Sequence, residues 1–127
     1  MFSCDFHPDG DRANGYWDPD CFQYGEVLGG LTFHMTKAER LLTRDSTMNH
    51  CMMFCGVNLD ENGTANRWKI ENSWGEQNGQ KGYYIGSEKW FKANVYQITV
   101  RKELLSDAQR KLLEQEPLPM KLWDPLA

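Results

Sequence analysis

Few residues in this 127-residue sequence can do acid–base, nucleophilic or metal chemistry: three His and four Cys stand among 18 acidic and 14 basic side chains. One pairing stands out. His50 follows Met48-Asn49, and Asn72 opens the segment Asn72-Ser73-Trp74-Gly75. A carboxamide oxygen accepts a hydrogen bond from one imidazole nitrogen, which fixes the tautomer and aims the other nitrogen outward. An imidazole held in that way is a general base. A neutral amide as its orienter suits a Cys–His pair. It steadies the imidazolium without adding a carboxylate charge, so a thiolate–imidazolium pair is kept at neutral pH. A blander reading stands beside this one: a His capping a strand, satisfied by a neighbouring Asn.

The cysteines are Cys4, Cys21, Cys51 and Cys55. Cys4 and His7 are close in sequence, as are His50, Cys51 and Cys55. No CxxC pair occurs, so the spacings fit zinc poorly and no metal or cofactor is expected. Cys51 and Cys55 fall inside an apolar run and read as small buried hydrophobes.

The elements that must position His50 and Asn72 are two adjacent strands. Cys51–Val57 is an apolar run of strand length, Asn58–Asn66 is polar with Asn62-Gly63 as a turn, and Arg67–Glu71 alternates with period two. This is a β-hairpin pattern. If Phe54 faces Trp68 and Met52 faces Ile70, the same ladder sets His50 opposite Asn72, with Cβ atoms about 4.5–5.5 Å apart. A one-residue slip would turn one strand over and break the apolar pairing. Residues 1–47 read as an irregular meander rich in Gly, Pro and Asp, with a short helical turn at Lys37–Arg44. Residues 48–101 form an antiparallel β region. Tyr83–Gly86 and Tyr96–Val100 are its further strands, and Glu88–Asn94 is a helical interlude. Ser106 and Gln109 have capping-box spacing, so a helix is expected over 106–116, followed by an extended Pro-rich tail over 117–127. The fold class is α+β.

The sequence is 40% hydrophobic and 25% charged, a composition able to bury a core. Its formal net charge of −4 and lack of a basic patch argue against a nucleic-acid partner. No apolar run is long enough to span a membrane, and the amino terminus does not read as a signal peptide. A cytoplasmic protein with free thiols is the expectation.

Asn72-Ser73-Trp74-Gly75 resembles the Asn-Ser-Trp-Gly segment of papain-like cysteine peptidases. More of the chain is similar to one branch, the bleomycin hydrolases and bacterial aminopeptidases C. The matching stretches are Lys37-Ala38-Glu39-Arg40-Leu41, Met48-Asn49-His50-Cys51-Met52, Trp68 to Glu76, Lys81-Gly82-Tyr83, Glu88-Lys89-Trp90-Phe91, Val95-Tyr96-Gln97, Leu113 to Pro117 and Trp123-Asp124-Pro125. The resemblance implies a papain-like fold, of which this chain is the carboxy-terminal antiparallel β subdomain with its helix and tail. It implies that His50 is general base and then acid, that Asn72 orients it, and that Trp74 shields their hydrogen bond from water.

The departures are as informative. The family's nucleophilic Cys and oxyanion-hole Gln have no counterpart in this sequence. Cys4 aligns with a family Cys that is not the nucleophile, and Cys51 points away from His50 because successive strand residues face opposite sides. The family usually has Thr at the position of Asn49 and Ala at that of Cys51. Its tail runs on past Trp-Asp-Pro into the cleft and enforces aminopeptidase cleavage; here only Leu126 and Ala127 follow Pro125. Two functions are therefore expected to compete. One is part of a cysteine aminopeptidase acting on peptides, inactive alone and completed by an amino-terminal subdomain and a homo-oligomer, a hexamer in the family. The other is a non-catalytic truncated homologue that assembles with intact subunits or binds peptides. A metal-binding module is a distant third. The face meant for the other subdomain should be exposed and apolar.

Overall fold

Two long strands and the turn between them set the frame. In this computed structural model, which describes residues 1–33 and 35–126, they are β4 (His50–Leu59) and β5 (Ala65–Glu71). β4 carries a continuous apolar run from Cys51 to Val57, and β5 alternates polar side chains with Trp68 and Ile70. The turn is built on Asp60, whose carboxylate accepts the N–H groups of Asn62 and Thr64 at 2.9 and 2.8 Å, while Gly63 takes the left-handed φ of 77°.

The remaining strands are β1 (Phe2–Cys4), β2 (Gly10–Asp11), β3 (Tyr16–Trp17), β6 (Tyr83–Ser87) and β7 (Val95–Ile98). Across the sheet the order is β2-β3-β6-β5-β4-β1-β7. The β3–β6 pair is parallel and the others are antiparallel. Helices α1 (Tyr24–Val27), α2 (Lys37–Leu42), α3 (Glu88–Asn94) and α4 (Asp107–Leu112) are short.

The hairpin register differs from the expected one by two residues. Phe54 pairs with Ile70 and Met53 with Glu71, so continuing the ladder sets Asn72 beside Met52 and diagonal to His50. A bulge at Cys55 and a second irregularity near the turn shift the pairing on the way out. On the His50 side of the bulge the displacement is two, which keeps the side chains there on their expected faces, because the period of a strand is two; from Gly56 to Asn58 it is three.

The opening segment is more ordered than a surface meander. β1 lies between β4 and β7, and Phe2, Cys4 and Trp17 are fully buried. Local pattern gave no hint of this, since β1 is three residues long and all its partners are remote. The helix expected over 106–116 is confined to Asp107–Leu112. Its Ser106–Gln109 capping box forms, but none of its residues is buried, so no packing extends it. Of the expected tail, Ala127 lies outside the described residues.

The core joins Met52 and Ile70 to Phe2, Tyr84, Trp17 and Trp90. Trp17 stacks between Tyr84 and Trp90 at centroid distances of 4.4 and 5.5 Å. Gly86 makes room for Trp90: a Cβ there would lie 2.8 Å from the indole ring. α3 is capped by Ser87, which accepts the Trp90 N–H at 3.1 Å, and it buries Trp90 against the sheet. Beyond this core many large apolar side chains are uncovered. Val27, Phe33 and Leu42 are exposed near the start, as are Leu118, Leu122 and Trp123 near the end.

Candidate active site

His50 begins β4, and Asn72 follows the last residue of β5. Nε2 of His50 lies 2.9 Å from Oδ1 of Asn72. The same oxygen accepts the backbone N–H of Ser73 at 2.8 Å. A backbone N–H only donates, so the amide end facing His50 is its oxygen, and Nε2 must carry the proton. In the neutral ring Nδ1 is then the bare nitrogen, able to take a proton and later return it. The amide orientation that fixes the tautomer thus comes from the backbone just after β5.

Trp74 lies over the His50 ring at 5.1 Å between centroids and 27° between planes. Phe6 approaches from another side, 4.9 Å from His50 and 5.1 Å from Trp74. Asn72 is 8% exposed, so its bond to His50 runs in a poorly hydrated setting where it is stronger than in water. The Asn72 Nδ2 group is buried and has no partner among the described residues.

A second network fixes where β4 begins. The buried Asp5 carboxylate accepts Ser46 Oγ–H at 2.7 Å, Asn49 Nδ2–H at 2.7 Å, and the N–H groups of His7 and Thr47 at 3.2 and 3.3 Å. With its own proton given to Asp5, Ser46 receives one from Tyr96 Oη at 2.6 Å. Asn49 in turn accepts the Phe6 N–H at 3.2 Å and donates its own N–H to Cys4 O at 3.0 Å. Burying a carboxyl group is costly unless donors of this kind satisfy its oxygens. The result ties residues 46–49 to the end of β1, immediately before His50. Asp5, Phe6, Ser46 and Tyr96 carried no signal of this in the sequence, because their spacing reflects only the tertiary fold. Asn49 stood out through its place beside His50 and as a departure from the Thr usual in the family.

None of the four thiols is arranged as a nucleophile for His50. Cys4 is buried, and its thiol is pushed up to about 12, first by burial and then by Asp5 and Cys51. Cys51 pairs with Ser3 of β1, its Sγ 3.1 Å from Ser3 Oγ, on the face opposite His50. Burial raises the Cys55 thiol too, although its residue is largely exposed at the bulge. Cys51 and Cys55 are therefore not the small core residues their apolar surroundings suggested: they occupy the sheet face turned away from the core, and both are exposed. Cys21 is exposed as well.

The Peptidase C1-like family model matches residues 1–127. Aminopeptidase C of Lactococcus lactis subsp. cremoris is 39% identical over 125 residues, spanning 98% of this chain and 28% of the relative. Bleomycin hydrolase of Homo sapiens is 35% identical over 127 residues, with the same two shares. A crystal structure of PepW from Lactobacillus rhamnosis superposes with a TM-score of 0.91 at 36% identity, covering 98% of this chain and 28% of that one. The α+β, papain-like fold follows from that superposition. The chain spans a little over a quarter of the length of the relatives it matches, and it belongs to the Peptidase C1-like family.

Proposed function

We propose that this chain supplies the His–Asn half of a cysteine aminopeptidase site that removes N-terminal residues from peptides. The observation that carries the proposal is the bond between His50 Nε2 and Asn72 Oδ1, with its proton assigned by the Ser73 N–H. In this reading a thiolate from outside these residues attacks the scissile carbonyl and a C–S bond forms. The His50 imidazolium gives the Nδ1 proton to the leaving amine as the C–N bond breaks. Neutral His50 then takes a proton from water, whose oxygen attacks the acyl carbon and releases the thiolate. Asn72 is the orienter and Trp74 the shield.

The chain is the carboxy-terminal portion of such a domain, completed by an amino-terminal subdomain and working as a homo-oligomer in the cytoplasm. Free thiols and exposed apolar residues accord with those assignments. No helix among the described residues is long and apolar enough to cross a membrane. The same exposed surface favours a second reading, a non-catalytic homologue that assembles with intact subunits or binds peptides.

Incubating the purified chain with an aminoacyl arylamide distinguishes the parts of the proposal. No hydrolysis is expected from the chain alone. Hydrolysis abolished by a thiol-alkylating reagent would reveal a nucleophile among the four cysteines and overturn the assignment. Co-purification with a catalytically inactive full-length relative, without gain of activity, would favour the second reading.

A further inference from the structure

The aromatic pair that flanks His50 also carries a cation. The Arg12 guanidinium carbon lies 4.8 Å from the Phe6 centroid and 5.3 Å from that of Trp74. These are the two rings that touch the imidazole. Phe6 alone limits the reach from cation to imidazole to two short legs, 4.8 and 4.9 Å. An extended peptide covers about 3.3 Å per residue, so two to three residues bridge that span.

Arg12 is exposed, and no carboxylate among the described residues pairs with it. Its neighbour Asp11 is engaged elsewhere, accepting the Asn14 N–H at 3.0 Å and Asn14 Nδ2–H at 2.6 Å. Cation–π contact with two rings confines the planar fork while no carboxylate among the described residues occupies its N–H donors. Such a fork matches a carboxylate in a bidentate fashion.

We propose that Arg12 is a specificity-determining residue that binds a carboxylate on the peptide segment departing from His50. This rests on the reading of His50 as the group that protonates the leaving amine. That amine starts the departing segment at His50, so a carboxylate two or three residues further on falls within reach of Arg12. Short peptides ending in a free carboxylate there are the preferred ligands. Arg12 makes no contact with the reacting atoms.

The test titrates the purified chain, followed by NMR of the His50 ring and the Trp74 indole N–H, with three probes. They are an apolar tripeptide acid, the same tripeptide as its amide, and a tripeptide amide with a Glu side chain in the last position. The expected result is about fivefold tighter binding of the free acid than of the neutral amide. The difference should vanish in Arg12→Gln, return in part in Arg12→Lys, and weaken with added salt. Tight binding of the Glu-containing amide would assign the site to side-chain as well as terminal carboxylates and still support it. Equal binding of acid and neutral amide, or a preference that survives Arg12→Gln, overturns the role of Arg12 and leaves His50 untouched. No response of His50 or Trp74 to any probe at millimolar concentration overturns this inference together with the peptide-binding reading beneath it.

Discussion

Asn72→Ala should disturb the site while leaving the fold nearly as stable as before. The substitution removes one oxygen that accepts two hydrogen bonds, from His50 Nε2 and from the Ser73 N–H. Each is worth about 1 kcal/mol net. It also removes the Nδ2 group, which is buried without a partner among the described residues and costs about 1–3 kcal/mol where it stands. The two effects are of similar size and opposite sign, so the net loss should stay below about 1 kcal/mol. Urea unfolding followed by tryptophan fluorescence gives that number, with an unchanged slope as the check that the denatured state is the same. Long-range nitrogen–proton NMR of the imidazole gives the other half. His50 should be held as the Nε2–H tautomer in the parent chain and lose that restriction in the variant. A loss above about 3 kcal/mol, or an unaltered tautomer, would refute the reasoning: the amide would then be a structural keystone rather than an orienter.

Further outcomes are expected for the thiols and for the tail. A disulfide thiol reagent should modify Cys21, Cys51 and Cys55 readily and Cys4 only after unfolding. The Cys4 thiol keeps its proton in the fold up to about 12, against 9.0 without burial, so within that window the unfolded chain holds fewer protons than the folded one. Its contribution is therefore intact below pH 9 and lost as the pH rises above it, and Cys4→Ala should have a shallower fall in melting temperature between pH 8 and 10.5. Ending the chain at Leu113 should change stability by less than about 0.5 kcal/mol, since no described residue beyond it is buried and Leu118, Leu122 and Trp123 are exposed. The same truncation should reduce binding of a hydrophobic dye, and loss of the sheet signal in circular dichroism would contradict this.

Elements whose information is local are legible in the amino-acid pattern. The capping box at Ser106–Gln109, the polar turn before Ala65–Glu71 and the helix at Glu88–Asn94 are written in neighbouring residues, and all three form. The pattern also determined which faces His50 and Asn72 occupy, because strand alternation survives any even shift of register. It did not determine the register itself. Pairing already stands two residues off the expected register beside the turn, at Leu59 and Ala65, and that offset sets Asn72 diagonal to His50; the bulge at Cys55 only reverses the irregularity between Asn58 and Leu59. The end of α4 was overextended because its apolar residues found nothing to pack on. Only the tertiary structure brought β1 from the far end of the chain to sit against β4, and with it Asp5 beneath residues 46–49 and Phe6 beside His50. Those partners are more than 40 positions apart, and a buried polar group is satisfied mainly by the donors the fold delivers to it, which spacing along the chain does not record.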